Sequence, residues 1–498
     1  VALFWPGDGR PLPNELARPS IEEATSQLER ALRKLGRTPY RIDGFLTRPH
    51  ESIEKLGPVR DPMIGVCVHW IYGPNTVEGV VGRDEPLLLA SNFSGQWPGL
   101  VGLLNTSACL EMVGRSHSRA WTDATDWSSS VFMERLEEWC TTGRIRYPEP
   151  DARLHAAISK PASSLARDVA DAVRRRRILV MMLGDTSMGM INGYFGPRMI
   201  APHGFSEHKI DQAWIIERGR GITERRIDEA LAFVRERGVT FHWREGGNDD
   251  FDERATREQL RDYLAVVDLV REYKADCVGW QYQLGLIGLR PPSDFAEGLL
   301  NSTCRPEGDG DTIVCSTEAD QGNAIPMELL KRLLRAKGLH QGVMFHDVRW
   351  GAEHDGRFLW VLLNSGSCGA YAFNHDADTL RGVHSYRQAK AYFPVPGGTF
   401  TGESLPGAIT WARAYVRRGE LWMDVGHGEV VGLPPAVRDA WWGGTNREWP
   451  FMAADLGMSR DALMAHYLSN HVAVAYGDVF EEMVALSQEL GFRVRVWG

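Results

Sequence analysis

Apolar positions along the chain change rhythm twice. Short unbroken runs at 1–5, 64–70, 86–90, 178–183, 312–315 and 342–345 are strand-sized and bounded by polar turns, as strands buried on both faces are. Between them, apolar residues recur at helical spacing. Ile21, Ala24, Leu28, Ala31 and Leu32 share one face, Ser20 and Glu23 make a capping-box pair ahead of them, and Gly36 supplies a stop. Helices are likewise expected over 163–175, over 224–237 and from Thr256, where Gln259 repeats the capping spacing. Strand and helix signals in alternation predict parallel sheets with helices on both faces. Past Trp350 the runs become short and rich in aromatic and β-branched residues, at 358–363, 370–373, 408–416, 420–425 and 429–431, with Arg418-Gly419 as a hairpin turn. Helices at 460–468 and 479–490 and a strand at 492–497 close the chain. The expected fold is α/β: two doubly wound α/β domains followed by a β-rich, barrel-like C-terminal domain.

A length of 498 residues allows two or three domains. A proline-flanked break after Tyr147 sets the boundaries at 1–155, 156–340 and 341–498. The net charge of −9 is spread along the chain, which argues against a nucleic-acid partner, since phosphate neutralisation needs a basic face. The one basic run, Arg174 to Arg177, reads as a helix end. Seven cysteines without a C-x-x-C pair fit reduced thiols rather than a disulfide framework or a zinc finger. No apolar run reaches membrane length and no signal segment is visible from Val1, so a cytoplasmic protein with no membrane partner is expected.

Candidate chemistry gathers between Cys315 and Trp350. The run at 312–315 leads directly into Glu318 and Asp320, and the run at 342–345 into Asp347. A helix from Pro326 to Gly338 would make a strand-helix-strand crossover that brings Glu318 beside Asp347. Two carboxylates held close need a shared proton or a cation. A third donor stands in S-N-H-V-A-V-A-Y-G-D, where Asn470 and His471 precede an alternating run. Two carboxylates and one imidazole suit Mn²⁺ or Mg²⁺ with positions left for water or substrate oxygens, whereas zinc would want more His or Cys. On local pattern alone the carboxylates are equally well exposed groups at loop entries. The glycine-rich loop at 184–196 matches neither phosphate-binding fingerprint and reads as a turn. No G-x-S-x-G is present, and Cys304 and Cys315 have no evident base. Trp70, Trp97 and Trp449 lie in polar loops, where an indole can stack on a sugar ring.

Read together, T-E-A-D-Q-G-N-A, F-H-D-V-R-W and N-H-V-A-V-A-Y-G-D resemble the three metal-site segments of the bacterial L-fucose isomerases, with Glu318, Asp347 and His471 at the ligand positions. The resemblance continues in H-W-I-Y-G (His69 to Gly73), L-G-D-T-S-M-G-M, V-G-W-Q-Y-Q and T-N-R-E-W-P, in the family's order. It implies an Mn²⁺-dependent aldose-ketose isomerase, with Mg²⁺ or Co²⁺ as substitutes, acting on a free monosaccharide such as L-fucose or D-arabinose through an enediol. Glu318 and Asp347 would be catalytic as well as metal-binding, and Asp320 would stand behind the ligands. Gln281, Gln283, Trp449, Asn470 and Arg10 would meet the substrate. The family's assembly, a homo-oligomer (hexamer or trimer), would have Trp70 donated by a neighbouring subunit. The chain is shorter than the usual member. Two other readings use the same residues: a metal-dependent lyase, epimerase or hydrolase on another sugar derivative, and a non-catalytic sugar-binding protein.

Overall fold

The computed structural model describes residues 1–95, 99–148, 158–185, 188–364, 368–443 and 447–497. The expected boundary at 155/156, Trp97 and the start of T-N-R-E-W-P lie outside them. Two parallel sheets come first. One is ordered Tyr40–Leu46, Ala2–Pro6, Met63–Cys67, Leu87–Ser91, Ser118–Trp121, and the other Val314–Thr317, Cys277–Trp280, Ile178–Leu183, Phe205–Ile210. Most of these strands are buried from end to end, as expected of apolar runs with helices on both faces. In each sheet the chain's first strand is flanked by strands reached in opposite directions, which opens a crevice at its carboxyl end. Arg10 lies just past that end in the first sheet.

Helix starts differ from the sequence reading. The first helix spans Pro11–Lys34, so Ser20 is internal. Its buried face continues backwards through Pro13, Asn14 and Ala17, and Pro11 suits the first turn. The Glu253–Tyr273 helix is capped by Asp252, whose carboxylate accepts from the Ala255 N–H. Thr256 and Gln259 are buried within it, accepting from Trp243 Nε1 at 3.0 Å and bonding Gly398 respectively. The helix expected from Pro326 spans Gln321–Ala336, because Asp320 caps it by accepting from the Gly322 N–H.

The C-terminal part is a closed barrel of six antiparallel strands. Val343–His354 lies between His471–Tyr476 and Arg357–Leu363; Phe451–Asp455 and Glu420–Val430 follow, and Gly407–Arg417 closes the ring onto His471–Tyr476. Arg493–Trp497 adds in parallel to Glu420–Val430. The long hairpin turns at Arg418 and Gly419, both left-handed (φ 52° and 77°), as a two-residue turn between twisted strands requires. The expected crossover is therefore corrected: the Gln321–Ala336 helix leaves a parallel sheet and delivers the chain to an antiparallel barrel. Within residues 368–406 the chain packs back on the second α/β unit, where His384–Ser385 pairs with Thr240–Phe241. All seven cysteines are free. Among the described residues no helix is long and apolar enough to cross a membrane.

Candidate active site

Asp347 and His471 are register partners across two antiparallel barrel strands, so the sheet itself sets them side by side. The ring of Phe345 meets the His471 imidazole edge-on, 4.3 Å between centroids. Glu318 arrives from the other sheet. Just past the Val314–Thr317 strand, Glu318 and Ala319 both take left-handed backbone angles (φ 58° and 53°), at a cost of about 1–2 kcal/mol per residue. The turn is held by the Ala319 N–H donating to Trp280 O at 3.1 Å. Gly279 makes it possible, since a Cβ there would stand 3.0 Å from Ala319 Cα.

His471 Nε2 lies 3.1 Å from Asp347 Oδ1 and 3.9 Å from Glu318 Oε2. Its Nδ1 lies 2.7 Å from Asp320 Oδ2, which aims Nε2 at the other two carboxylates. Asp320 is fully buried and paired with the equally buried Arg413, which also bonds Asn323 Oδ1 at 3.1 Å. Gly322 lets the helix start come this close, for a Cβ there would collide with the guanidinium. Asp347 accepts from Asn470 Nδ2 at 2.8 Å and Asn364 Nδ2 at 3.2 Å. Glu318 accepts from Gln283 Nε2 at 3.3 Å, and Gln283 in turn accepts from Arg10, whose remaining nitrogens bond Asp8.

Burial, with Asp347 adding to it against the pull of His471, pushes the Glu318 carboxyl up to about 8. Burial draws His471 down, but Asp347 and Asp320 outweigh it and raise the imidazole to about 9. Asp320 stays below the usual carboxylate range despite burial because Arg413 and His471 face it. The centre thus holds protons where charge would otherwise be unanswered, which is what a dry cluster of hard donors does before a cation replaces them. Among the described residues no three His, Cys, Asp or Glu side chains already stand close enough to clasp a metal ion. The 3.1 Å spacing of Asp347 and His471 is close to the edge of about 3 Å between neighbouring donors around an octahedral ion bound at about 2.1 Å. By donor chemistry these residues fit a divalent ion such as Mn²⁺.

The three residues line a recess of about 450 Å³ together with Arg10, Trp70, Gln283, Trp449 and Asn470. One expectation is corrected. Gln281 is not in this recess. Tyr282 is left-handed (φ 46°) and the Gln283 N–H folds back on Gln281 O, so the two glutamines diverge, and Gln281 accepts from Gln212 Nε2 in a separate hollow. Trp70 lines the recess within its own chain, where the Gly99–Met112 helix packs the N-terminal unit against barrel strands. Sequence reasoning passed over Arg349, Asn364 and Tyr392, which also line the recess. Arg349 was signalled by its place two residues after Asp347 on one strand; the other two sit in loops with no pattern.

Compared with known families, residues 362–498 match the model described as L-fucose isomerase, C-terminal domain. The C-terminal part of the chain therefore carries the C-terminal domain of the L-fucose isomerase family. The matched segment carries Asn364, Tyr392, Trp449, Asn470 and His471, while Glu318 and Asp347 precede it. The matched domain supports a sugar-isomerase family for the chain. No curated protein matches the chain.

Proposed function

We propose that the protein is an Mn²⁺-dependent aldose-ketose isomerase that interconverts the C1 and C2 oxidation states of an open-chain monosaccharide with the configuration of L-fucose or D-arabinose. The observation that carries this reading is the convergence of Glu318, Asp347 and His471, from a parallel-sheet loop and two barrel strands, on one recess. A bound divalent ion would supply a Lewis acid for negative charge on O1 and O2 of the sugar. Glu318, Asp347 and His471 would hold it.

Isomerisation requires a proton to leave C2 and return to C1, while a second proton passes from O2 to O1. Glu318 and Asp347 both line the recess, and one takes the carbon-bound proton while the other serves the oxygen-bound one. Asn364 and Asn470 fix the Asp347 carboxylate through both of its oxygens. Gln283 tethers Glu318 and links it to Arg10. Trp70 and Trp449 offer apolar faces for the carbon side of the sugar and limit water.

Glu318→Gln tests this. It keeps size and hydrogen bonding but removes the base. Measured at saturating Mn²⁺ with folding checked by circular dichroism, turnover should fall by about 10²-fold or more. Unaltered turnover overturns the assignment, and a wild-type protein that binds sugars without converting any would favour a binding protein.

A further inference from the structure

Arg349 is the charged group of the recess that the proposed reaction leaves unused. It is the extra residue of a β-bulge: Val348 pairs with Leu362 and Trp350 with Val361, so Arg349 has no partner on the neighbouring strand. Bulges re-aim side chains beside active sites. Here the bulge points a guanidinium into the recess two residues past Asp347, where the Arg349 Cζ stands 5.3 Å from the Trp449 ring centroid. The indole is pinned from behind, its N–H donating to Gln388 Oε1 at 2.6 Å, and Gln388 donates to Asp294 Oδ1 at 2.6 Å.

The recess contains two arginines in opposite states. Arg10 spends its guanidinium on Asp8 and Gln283 and is electrically answered by a fully buried carboxylate. Arg349 has no ion pair or hydrogen bond among the described residues, and its Nε is sealed from solvent without an acceptor. Glu318 and Asp347 do not answer it, since both turn towards His471. A buried N–H donor on a permanent cation is costly when left unpaired, and a ligand that completes it removes that cost. Planar guanidinium donors match the paired oxygens of a carboxylate or phosphate.

Resting on the isomerase reading, we infer that the substrate carries an anionic group, a carboxylate or a phosphate, at the end remote from the reacting carbons, and that Arg349 on its Trp449 platform receives it. Arg349 is then the specificity-determining residue that sets an anionic aldose above its neutral parent. Trp449 restricts the guanidinium to one plane, which favours bidentate pairing over loose attraction.

Matched pairs test this with the stereochemistry held constant: D-arabinose against its 5-phosphate, and L-fucose against L-galacturonate, which differ in the terminal group alone. With Mn²⁺ added, kcat/KM should be at least about tenfold higher for one or both anionic members, through KM. The arm that shows the gain tells phosphate from carboxylate. In Arg349→Met the ratio of anionic to neutral kcat/KM should fall to near one, and Arg349→Lys, which keeps the charge, should retain part of it. Wild-type preference for the neutral sugars, or an unchanged ratio in Arg349→Met, overturns the inference. Calorimetric binding of the same anionic sugars to metal-free protein is a separate readout. About tenfold weaker binding in Arg349→Met supports the anion site even where no sugar is isomerised, and equal binding in variant and wild type overturns it.

Discussion

His471 Nδ1 and Asp320 Oδ2 stand 2.7 Å apart with both side chains sealed from solvent, and the same Asp320 oxygen faces Arg413. One carboxylate therefore starts a helix, neutralises a buried arginine of the barrel and fixes which imidazole nitrogen faces the recess. Its loss should be felt in binding and stability together.

Asp320→Asn leaves Arg413 buried without its counter-charge and frees the His471 ring. Mn²⁺ affinity should fall about 10–100-fold, and stability by about 3–5 kcal/mol, read by metal titration and urea unfolding. Adding Arg413→Met should recover much of the stability and none of the affinity. Unchanged affinity in the single variant would show that Asp320 does not orient His471.

Gly279→Ala should act on Glu318 from behind. The added methyl meets Ala319 Cα at 3.0 Å and Met182 Cε at 2.5 Å, so the left-handed turn must shift. Overpacking of this kind costs about 1–3 kcal/mol. Thermal unfolding and initial rates at saturating Mn²⁺ check it: both should fall, and a variant with wild-type turnover would mean that Glu318 tolerates displacement.

His69 gives stability a pH dependence. It is 1% exposed, bonds Asn14 Oδ1 through Nε2 at 2.9 Å and has no partner at Nδ1, so burial holds it neutral and lowers it to about 4. The unfolded chain binds this proton near pH 6.5. Stability is therefore full above about pH 6.5 and lost as pH falls towards 4, at about 1.4 kcal/mol per unit and about 3 kcal/mol in all. Denaturant unfolding of His69→Gln between pH 7 and 4 should show a slope shallower by one proton. An identical slope would mean that His69 is protonated in the fold.

Much of this architecture was legible because strands buried on both faces write themselves as unbroken apolar runs: Ile178–Leu183 has the bounds its run predicts. Helix starts were misread where a Ser/Thr-x-x-Glu/Gln pattern fell inside a longer helix, as at Thr256, whose hydroxyl serves Trp243 instead of a cap. The barrel setting of Val343–His354 was not legible, since one of its two partners lies more than a hundred residues on at His471–Tyr476. The recess shows the same division. Local pattern marked Glu318, Asp347 and His471 as candidates, but Gln281 and Gln283 could not be told apart without the backbone reversal at Tyr282. Arg413 was visible as the lone charge in the apolar run at 408–416, which a buried strand tolerates only with a partner, yet its partner Asp320 is distant in sequence.

The proton-transfer role of the Glu318 and Asp347 pair is tested most directly by isotope incorporation. After chelation and reloading with Mn²⁺, D-arabinose, L-fucose and their anionic counterparts are incubated in D₂O and the ketose products examined by NMR. Deuterium at C1 of the ketose is the expected result, because a proton held on a carboxylate exchanges with solvent before it returns to carbon. Ketose formed with no deuterium at C1 would contradict the carboxylate relay and point to a hydride shift.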